Sequence, residues 1–353
     1  MKVVLLGCTP PPVGGIAEWT MRMLKSQLKN GWEIILVDDK MIGGRESFGN
    51  GTKKNYFIEA KRVFSYWKRL TIALKDKEAK VVHSCPIASY TSMMKEYGCA
   101  LITKRAKRGF VAHFRCTIPN MVKNEHCKRM LVRFCNKCDH IMVLNNQSYQ
   151  YLENLTTTPI TVVPNFVNDQ EIVEHKEIRE TVKKALYVGG VTVDKGCLDV
   201  IETAKAFPAI EFRLVGRASN DIEEAANSCQ NVTLVGVKKR EELKAEYANA
   251  DVFMFLSHFS GEGFSNALAE AMAAGMPCIV TDWAANADMV EDGKGGYVVA
   301  CHTPGQAVNA MQRIMPQDLR TAQSKHNIEK VHTQYSKESV LSTYVDIYEK
   351  YAQ

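Results

Sequence analysis

Short apolar runs rich in β-branched residues recur along this chain in two series, separated by helical segments, and no other feature of the sequence constrains the fold as strongly. The first series is KVVLLG, WEIILVD, KVVHS, GFVAHF, HIMVLN and ITVVPN. The second begins at KALYVGG and continues through EFRLVG, NVTLVG, DVFMFLS, PCIVTD and GGYVVA. Its strands alternate with the helical segments CLDVIETAKAF, DIEEAANSC, REELKAEYANA and SNALAEAMAAG. Continuous apolar strands alternating with helices are those of a parallel sheet covered on both faces. The expected fold class is therefore α/β, with two doubly wound, Rossmann-like domains facing across a cleft. The polar stretch PNFVNDQEIVEHKEIRETVKK separates them, with a hinge near residues 166–183. This reading gives an N-terminal domain over residues 1–170 and a C-terminal domain over residues 171–337. In the tail, Val340, Tyr344, Ile347, Tyr348 and Tyr351 fall on one face of a helix over 338–353, which must pack somewhere.

At 353 residues the chain exceeds what one core of about 250–300 residues serves. It is 46% hydrophobic and 24% charged, as a soluble globular protein is. No apolar run approaches the roughly 18–20 residues of a membrane span. MKVVLLGCTPPP is too short for a signal peptide and reads as a first buried strand, so a cytoplasmic protein is expected. Eleven cysteines are scattered singly, as in a reducing compartment. Cys135 and Cys138, near Cys127, His126 and His140, form the one close grouping. A zinc site there lacks a second closely spaced pair, so buried thiols and no metal are expected.

Three strand ends of the second series carry glycine, in YVGGVTVDKG, LVGRAS and LVGVKK. Lys195, in the first of these loops, is either a solvated loop lysine or a partner for a phosphate. None has the G-x-G-x-x-G spacing of a dinucleotide site, which leaves a dehydrogenase least favoured. GEGFSNALAEAMAAG then sets Glu262 and Glu270 on either side of a turn that opens a helix. They are ordinary helix residues, or else the turn's amides hold a phosphate while the two carboxylates hold hydroxyls of the same ligand.

The run DVFMFLSHFSGEGFSNALAEAMAAGMPCIVTD resembles the retaining glycosyltransferases of family 4, the group 1 glycosyltransferases, which have the GT-B fold. Ser257, Glu262-Gly263-Phe264, Glu270, Gly275 and Pro277 stand where that family has its strand-end serine, Glu-Gly-Phe turn, second glutamate and Gly-x-Pro. YVGGVTVDKG is similar to the family's donor-phosphate loop, and NVTLVGVKKREELKAEYANADVF to its nucleobase segment. DMVEDGKGGYVV extends the likeness forward, so that it covers most of residues 185–300 in order. It is weaker in the first domain, where PPPVGGIAEW is similar to a Gly-Gly loop and VAHFR to a strand ending in a sugar-facing histidine.

The resemblance implies transfer of a sugar from a nucleotide diphosphate, by default UDP, to a hydroxyl with retention and no metal. It also implies that the helix over 338–353 crosses back to complete the first domain. The donor site would be built from Gly15, Gly189, Lys195, Val237, Lys238, Glu262, Gly263, Phe264, Ser265, Asn266 and Glu270. Glu262, His113 and Lys195 would attend the reaction itself, with Glu262 a ligand of the donor sugar rather than a nucleophile. Glu270 would take the ribose hydroxyls, the amides of Gly263–Asn266 and Lys195 the diphosphate, and Ser265 and Asn266 sugar hydroxyls. His113 also reads as a hydrogen-bonded structural residue and Gly14-Gly15 as a plain turn, while Glu18, one turn later, reads as an acceptor-side base or, in preference, a surface helix residue. The family's arginine after the glycine of VGG is replaced by Gly190, with Arg217, Lys238 and Lys239 as available cations. WAAN at 283–286 replaces a common Gly-Gly.

The first 170 residues hold 26 Lys+Arg against 13 Asp+Glu, and the remainder 19 against 26. TKKNYFIEAKRVFSYWKRLTIALKDK and TKRAKRGF mix cations with aromatics at helical spacing. Such a helix lies on an anionic membrane surface or has a core face and a solvated basic face. Nucleic acid lacks a recognition motif here. A lipid-linked or polysaccharide-repeat acceptor at the inner membrane face fits the first reading. The rivals are a sugar-nucleotide epimerase, which would act on the donor alone, and a binding scaffold without turnover.

Overall fold

The computed structural model describes residues 1–11, 14–39, 56–168 and 177–352. Parts of the expected hinge, of the Gly-Gly loop (residues 12 and 13) and of the basic segment before residue 56 lie outside them. The chain divides into two units, Met1–Pro164 with Val340–Gln353, and Asn165–Ser339.

The first unit is a six-stranded, all-parallel sheet in the order β2-β1-β3-β4-β5-β6. Its strands are β1 (Lys2–Gly7), β2 (Glu33–Asp38), β3 (Ala79–Ser84), β4 (Gly109–His113), β5 (His140–Val143) and β6 (Ile160–Val162). The intervening helices are α1 (Gly15–Leu24), α2 (Tyr56–Ala73), α3 (Tyr90–Arg105), α4 (Ile118–Met121), α5 (Glu125–Cys135) and α6 (Asn146–Glu153). β4 and β5 are buried at every residue, which is why their sequences are apolar runs without alternation.

The second unit has its own six parallel strands in the order β12-β11-β10-β7-β8-β9. These are β7 (Lys184–Val188), β8 (Glu211–Val215), β9 (Val232–Gly236), β10 (Val252–Phe255), β11 (Cys278–Thr281) and β12 (Gly296–Val299). Its helices are α7 (Cys197–Lys205), α8 (Asn220–Asn227), α9 (Arg240–Asn249), α10 (Asn266–Ala273), α11 (Asn286–Met289), α12 (Pro304–Arg313) and α13 (Gln317–Lys330). A π-helical turn, Val331–Tyr335, leads to α14 (Lys337–Lys350). The order reverses between β7 and β10, so connections leave these neighbours in opposite directions. Ligands of open α/β sheets bind at that point, beyond the carboxyl ends of the strands. Stacked rings reinforce it: Tyr187 lies on Phe255 at 6.0 Å and Phe255 on Phe253 at 6.3 Å.

From Val340 onward α14 packs in the first unit. Tyr344 and Tyr348 are wholly buried there, and the Tyr348 hydroxyl and His83 Nδ1 share a hydrogen bond at 2.6 Å. No helix among the described residues is long and apolar enough to cross a membrane.

Candidate functional site

Two loops meet at the β7/β10 reversal. The first follows β7 and enters α7 at Gly196, whose φ of +73° favours glycine. A Cβ at Gly196 would lie 2.0 Å from the Leu256 carbonyl oxygen, so glycine is also required by close approach. This brings Lys195 against the loop that follows β10. The His258 amide donates to the Asp194 carbonyl at 3.0 Å, stitching the loops backbone to backbone. Across the seam, Lys195 Nζ donates to Glu262 Oε2 at 2.6 Å, over the Phe259 ring at 4.3 Å.

The β10–α10 loop is held from inside. Buried Ser257 accepts the Phe259 amide on its hydroxyl and the Thr281 hydroxyl on its carbonyl. The Trp283 indole donates to the Phe259 carbonyl at 2.8 Å, and Ala284 takes a φ of +55°, the conformation a glycine at this WAAN position would adopt without strain. Phe264 is buried, edge-on to Tyr335 at 5.2 Å. Ser265 caps α10, its hydroxyl accepting the Leu268 amide at 3.2 Å. Asn266 accepts the Asn165 side-chain amide at 2.8 Å. Both residues were expected at sugar hydroxyls, and both have local structural partners here. By helix geometry the first-turn amides of Asn266 and Ala267 have no intrahelical acceptor.

Glu270 lies one turn further along α10. Buried Tyr247, on α9, donates its hydroxyl to Glu270 Oε2 at 3.1 Å. Sequence reasoning missed Tyr247, because a tyrosine in a charged helix carries no local mark of a partner 23 residues away.

Around these two acids lie the strand ends. Gly189 has φ +152°, and the Tyr187 hydroxyl donates to the Gly190 carbonyl at 2.7 Å. A Cβ at Gly190 would meet nothing within 4 Å. Val191 donates its amide to the Arg217 carbonyl at 3.0 Å, which places Arg217 beside the glycine loop with its side chain exposed. Lys238 is paired with Glu242 at 3.1 Å, and the Lys239 amide caps that same carboxylate. Val237, just past β9, is 77% exposed.

In the first unit, Gly15 opens α1, and a Cβ at Gly14 or Gly15 would touch nothing within 4 Å. His113 differs from its sugar-facing expectation. Its ring is fully buried among Trp19, His83 and Tyr344, and its Nε2 faces the Val163 carbonyl at 3.1 Å. Burial, then the Arg115 charge, holds it well below the usual histidine range, so the ring is neutral. Burial and Arg115 likewise lower His83, to about 3.

The cysteine grouping is spread through packing. Cys127 and Cys138 donate their thiols to the carbonyls of Ala88 and Phe134, His126 stacks on Tyr90, and His140 sits between Tyr351 and Thr161. Among the described residues no three His, Cys, Asp or Glu side chains converge as metal ligands.

Residues 182–317 match the family model for glycosyl transferases group 1. The chain is 31% identical over 121 residues to the capsular polysaccharide biosynthesis glycosyltransferase CapM of Staphylococcus aureus, covering 32% of this chain and 31% of that protein. It is 25% identical over 250 residues to the alpha-galactosylglucosyldiacylglycerol synthase of Streptococcus pneumoniae, covering 64% of each. The matched regions thus span less than two thirds of these relatives. Two solved structures match almost end to end. Sucrose-phosphate synthase from Thermosynechococcus elongatus has a TM-score of 0.79 at 15% identity, covering 99% of this chain and 98% of that one. Anabaena HepE in complex with UDP-glucose has 0.72 at 14%, covering 99% and 100%. The fold is GT-B, and the group 1 glycosyl transferase pattern lies in the second unit.

Proposed function

We propose that this chain is a glycosyltransferase that moves a sugar from a nucleoside-diphosphate sugar, by default a UDP-sugar, to a hydroxyl acceptor, with retention and without a metal ion. The observation that carries the reading is the meeting of Lys195, Glu262 and the α10 N-terminus at the β7/β10 reversal, with Glu270 oriented by Tyr247. A nucleotide sugar alternates diol, diphosphate and polyol. Glu270 takes the ribose diol, Lys195 and the first amides of α10 take the diphosphate, and Glu262 takes the sugar hydroxyls. Val237 offers an exposed apolar surface for the base. The second cation is Arg217, which stands beside the glycine loop, whereas Lys238 is engaged by Glu242.

In the reaction the acceptor oxygen bonds to the anomeric carbon on the face from which the sugar–phosphate bond breaks. The electron pair leaves on the diphosphate, which takes up the acceptor proton. Charge therefore grows on the leaving group, where a lysine and fixed amide dipoles stabilise it without reorganising. His113 enters this reading as a packing residue. A glycan or lipid-linked acceptor is supported by relatives named for capsular polysaccharide and a glycosyl diacylglycerol.

Thermal-shift screening of nucleotide sugars, followed by mass spectrometry of acceptor mixtures, tests the reading. A nucleoside-diphosphate sugar should raise Tm, and Glu270→Ala should remove most of that gain while weakening binding at least about tenfold, the cost of losing charge-assisted hydrogen bonds. An unchanged shift in Glu270→Ala overturns the ribose assignment. Binding without transfer or hydrolysis of any donor overturns the enzyme reading.

A further inference from the structure

WAAN at 283–286, directly after β11, stands where the resembled family commonly has Gly-Gly, and the donor site proposed above gives it no task. Ala284 holds φ at +55°, a left-handed conformation that a side chain makes costly. The strained turn is fastened to the end of β10. Asn286 donates its side-chain amide to the Thr281 hydroxyl at 3.2 Å, and Thr281 donates to the Ser257 carbonyl at 2.6 Å.

From this turn Trp283 reaches the β10–α10 loop. Its indole N–H and the Glu262 amide both donate to the Phe259 carbonyl, at 2.8 and 3.0 Å. A carbonyl oxygen can accept twice, and this one does. Trp283 and Glu262 are thereby fixed side by side on one oxygen. The Phe259 ring is 36% exposed and lies under Lys195. A Cβ at Gly261 would come within 2.7 Å of that ring, so glycine there leaves the ring its place. Phe259 thus holds Lys195 by its face, and both Glu262 and Trp283 by its backbone.

The sheet order gives this tryptophan a place along the ligand. Across neighbouring strand ends, Val237 follows β9, Lys195 follows β7, Glu262 follows β10 and Trp283 follows β11. A nucleotide sugar laid along that row, base at Val237 and diphosphate at Lys195, brings its sugar to Glu262 and Trp283 together. A pyranose has hydroxyls around its edge and C–H groups on its face. The carboxylate suits the hydroxyls. The C–H hydrogens carry slight positive charge, and the electron-rich face of an indole suits them. Trp283 is half-buried, so part of its ring remains open to a ligand.

We propose that Trp283 is a specificity-determining residue, stacking on the C–H face of the donor's pyranose while Glu262 takes its hydroxyls. The proposal rests on the donor-site reading, and the two are separated by UDP, which has no sugar to stack. The probes are UDP and whichever of UDP-glucose, UDP-galactose and their N-acetylamino counterparts binds most tightly, measured by isothermal titration on the full chain. Trp283→Ala should weaken the sugar nucleotide about fivefold, the scale of one aromatic stacking contact, and leave UDP within about twofold. Trp283→Phe keeps a ring but has no N–H for the Phe259 carbonyl, and it should retain most of the affinity. An indole that only braces the loop predicts otherwise: both variants would then weaken UDP and the sugar nucleotide in parallel. Fluorescence gives a direct readout. The sugar nucleotide should change wild-type tryptophan emission beyond what UDP does, and that difference should vanish in Trp283→Phe. Unaltered circular dichroism shows that the variants fold. Undiminished binding of the sugar nucleotide to Trp283→Ala, parallel losses for UDP and the sugar nucleotide, or a phenylalanine variant no better than alanine each overturn the proposal. If the wild type binds neither UDP nor any of the four sugar nucleotides, the donor reading itself falls and takes the proposal with it.

Discussion

Glu262→Gln separates the two halves of the proposed donor site. The Lys195 side chain is 22% and that of Glu262 11% exposed, and their 2.6 Å contact is a charge-assisted hydrogen bond at the edge of solvent. Such a pair is worth about 1 kcal/mol after solvent screening. A diphosphate that takes Lys195 must first break it, and must then lie near a carboxylate of its own sign. Glutamine keeps the size and removes the charge. UDP alone should therefore bind about fivefold more tightly to the variant, since 1.4 kcal/mol is tenfold. A UDP-sugar has a second account, because the carboxylate also accepts from the sugar hydroxyls. Losing charged acceptors there costs roughly 1.5–3 kcal/mol, so the sugar nucleotide should weaken and transfer should drop. Isothermal titration with UDP and with the UDP-sugar found by screening measures both, and the two affinities should move in opposite directions. The ligand-free melt should fall by about 2–4 °C for the lost pair. If UDP also binds more weakly to the variant, Lys195 is not competed for, and the pair is a support for the loops rather than a part of the site.

Gly190→Arg adds a cation where a Cβ meets nothing, so Tm should stay within about 2 °C while UDP affinity rises roughly tenfold. Arg217→Ala should weaken UDP binding in the wild type and have little effect in the Gly190→Arg background. Gly196→Ala forces a side chain into the Leu256 carbonyl at a positive φ and should cost at least about 3 kcal/mol in urea unfolding, together with nucleotide binding. Acid should loosen the first unit early. Burial is the main cause that lowers His83 to about 3 and His140 to about 4, against an ordinary value of 6.5. Their neutral forms are favoured by the fold, so the stability they permit is complete above pH 6.5 and is lost as pH falls through 6.5 toward those values. At pH 5 each histidine costs about 2 kcal/mol relative to neutral pH. Trp19, Trp32 and Trp67 lie in the first unit and Trp283 in the second, so tryptophan fluorescence of a Trp283→Phe variant in urea at both pH values reports the first unit, and a flat response between pH 7 and 5 would contradict the assigned burial.

The elements were legible because their burial is simple. β10 and β11 are covered on both faces, and VFMF and CIVT contain almost nothing else that such a position accepts. Strand order was not legible, since it depends on pairing between runs that look alike. The site divides along the same line. Glu262 and Glu270 announce themselves by spacing within one loop and helix. The Lys195–Glu262 contact joins residues 67 apart, and the packing of His113 against Tyr344 joins residues 231 apart. The chain's return through α14 adds Tyr344 to Trp19 and His83 around His113. Ser265 carries a second signal that could have been read from the sequence, because a serine directly before an apolar helical run is an N-cap, and its hydroxyl does cap α10.

The return of α14 to the first unit bears on how the protein is made. Domains generally fold in order as they leave the ribosome, the N-terminal one first. Here the unit that emerges first lacks Tyr344 and Tyr348, the rings that close over His83 and His113, until α14 has been translated after the second unit. The second unit has all of its strands in hand before then. The half begun first is completed last, and a chain cut short before Val340 leaves that half with an open core rather than merely a missing tail.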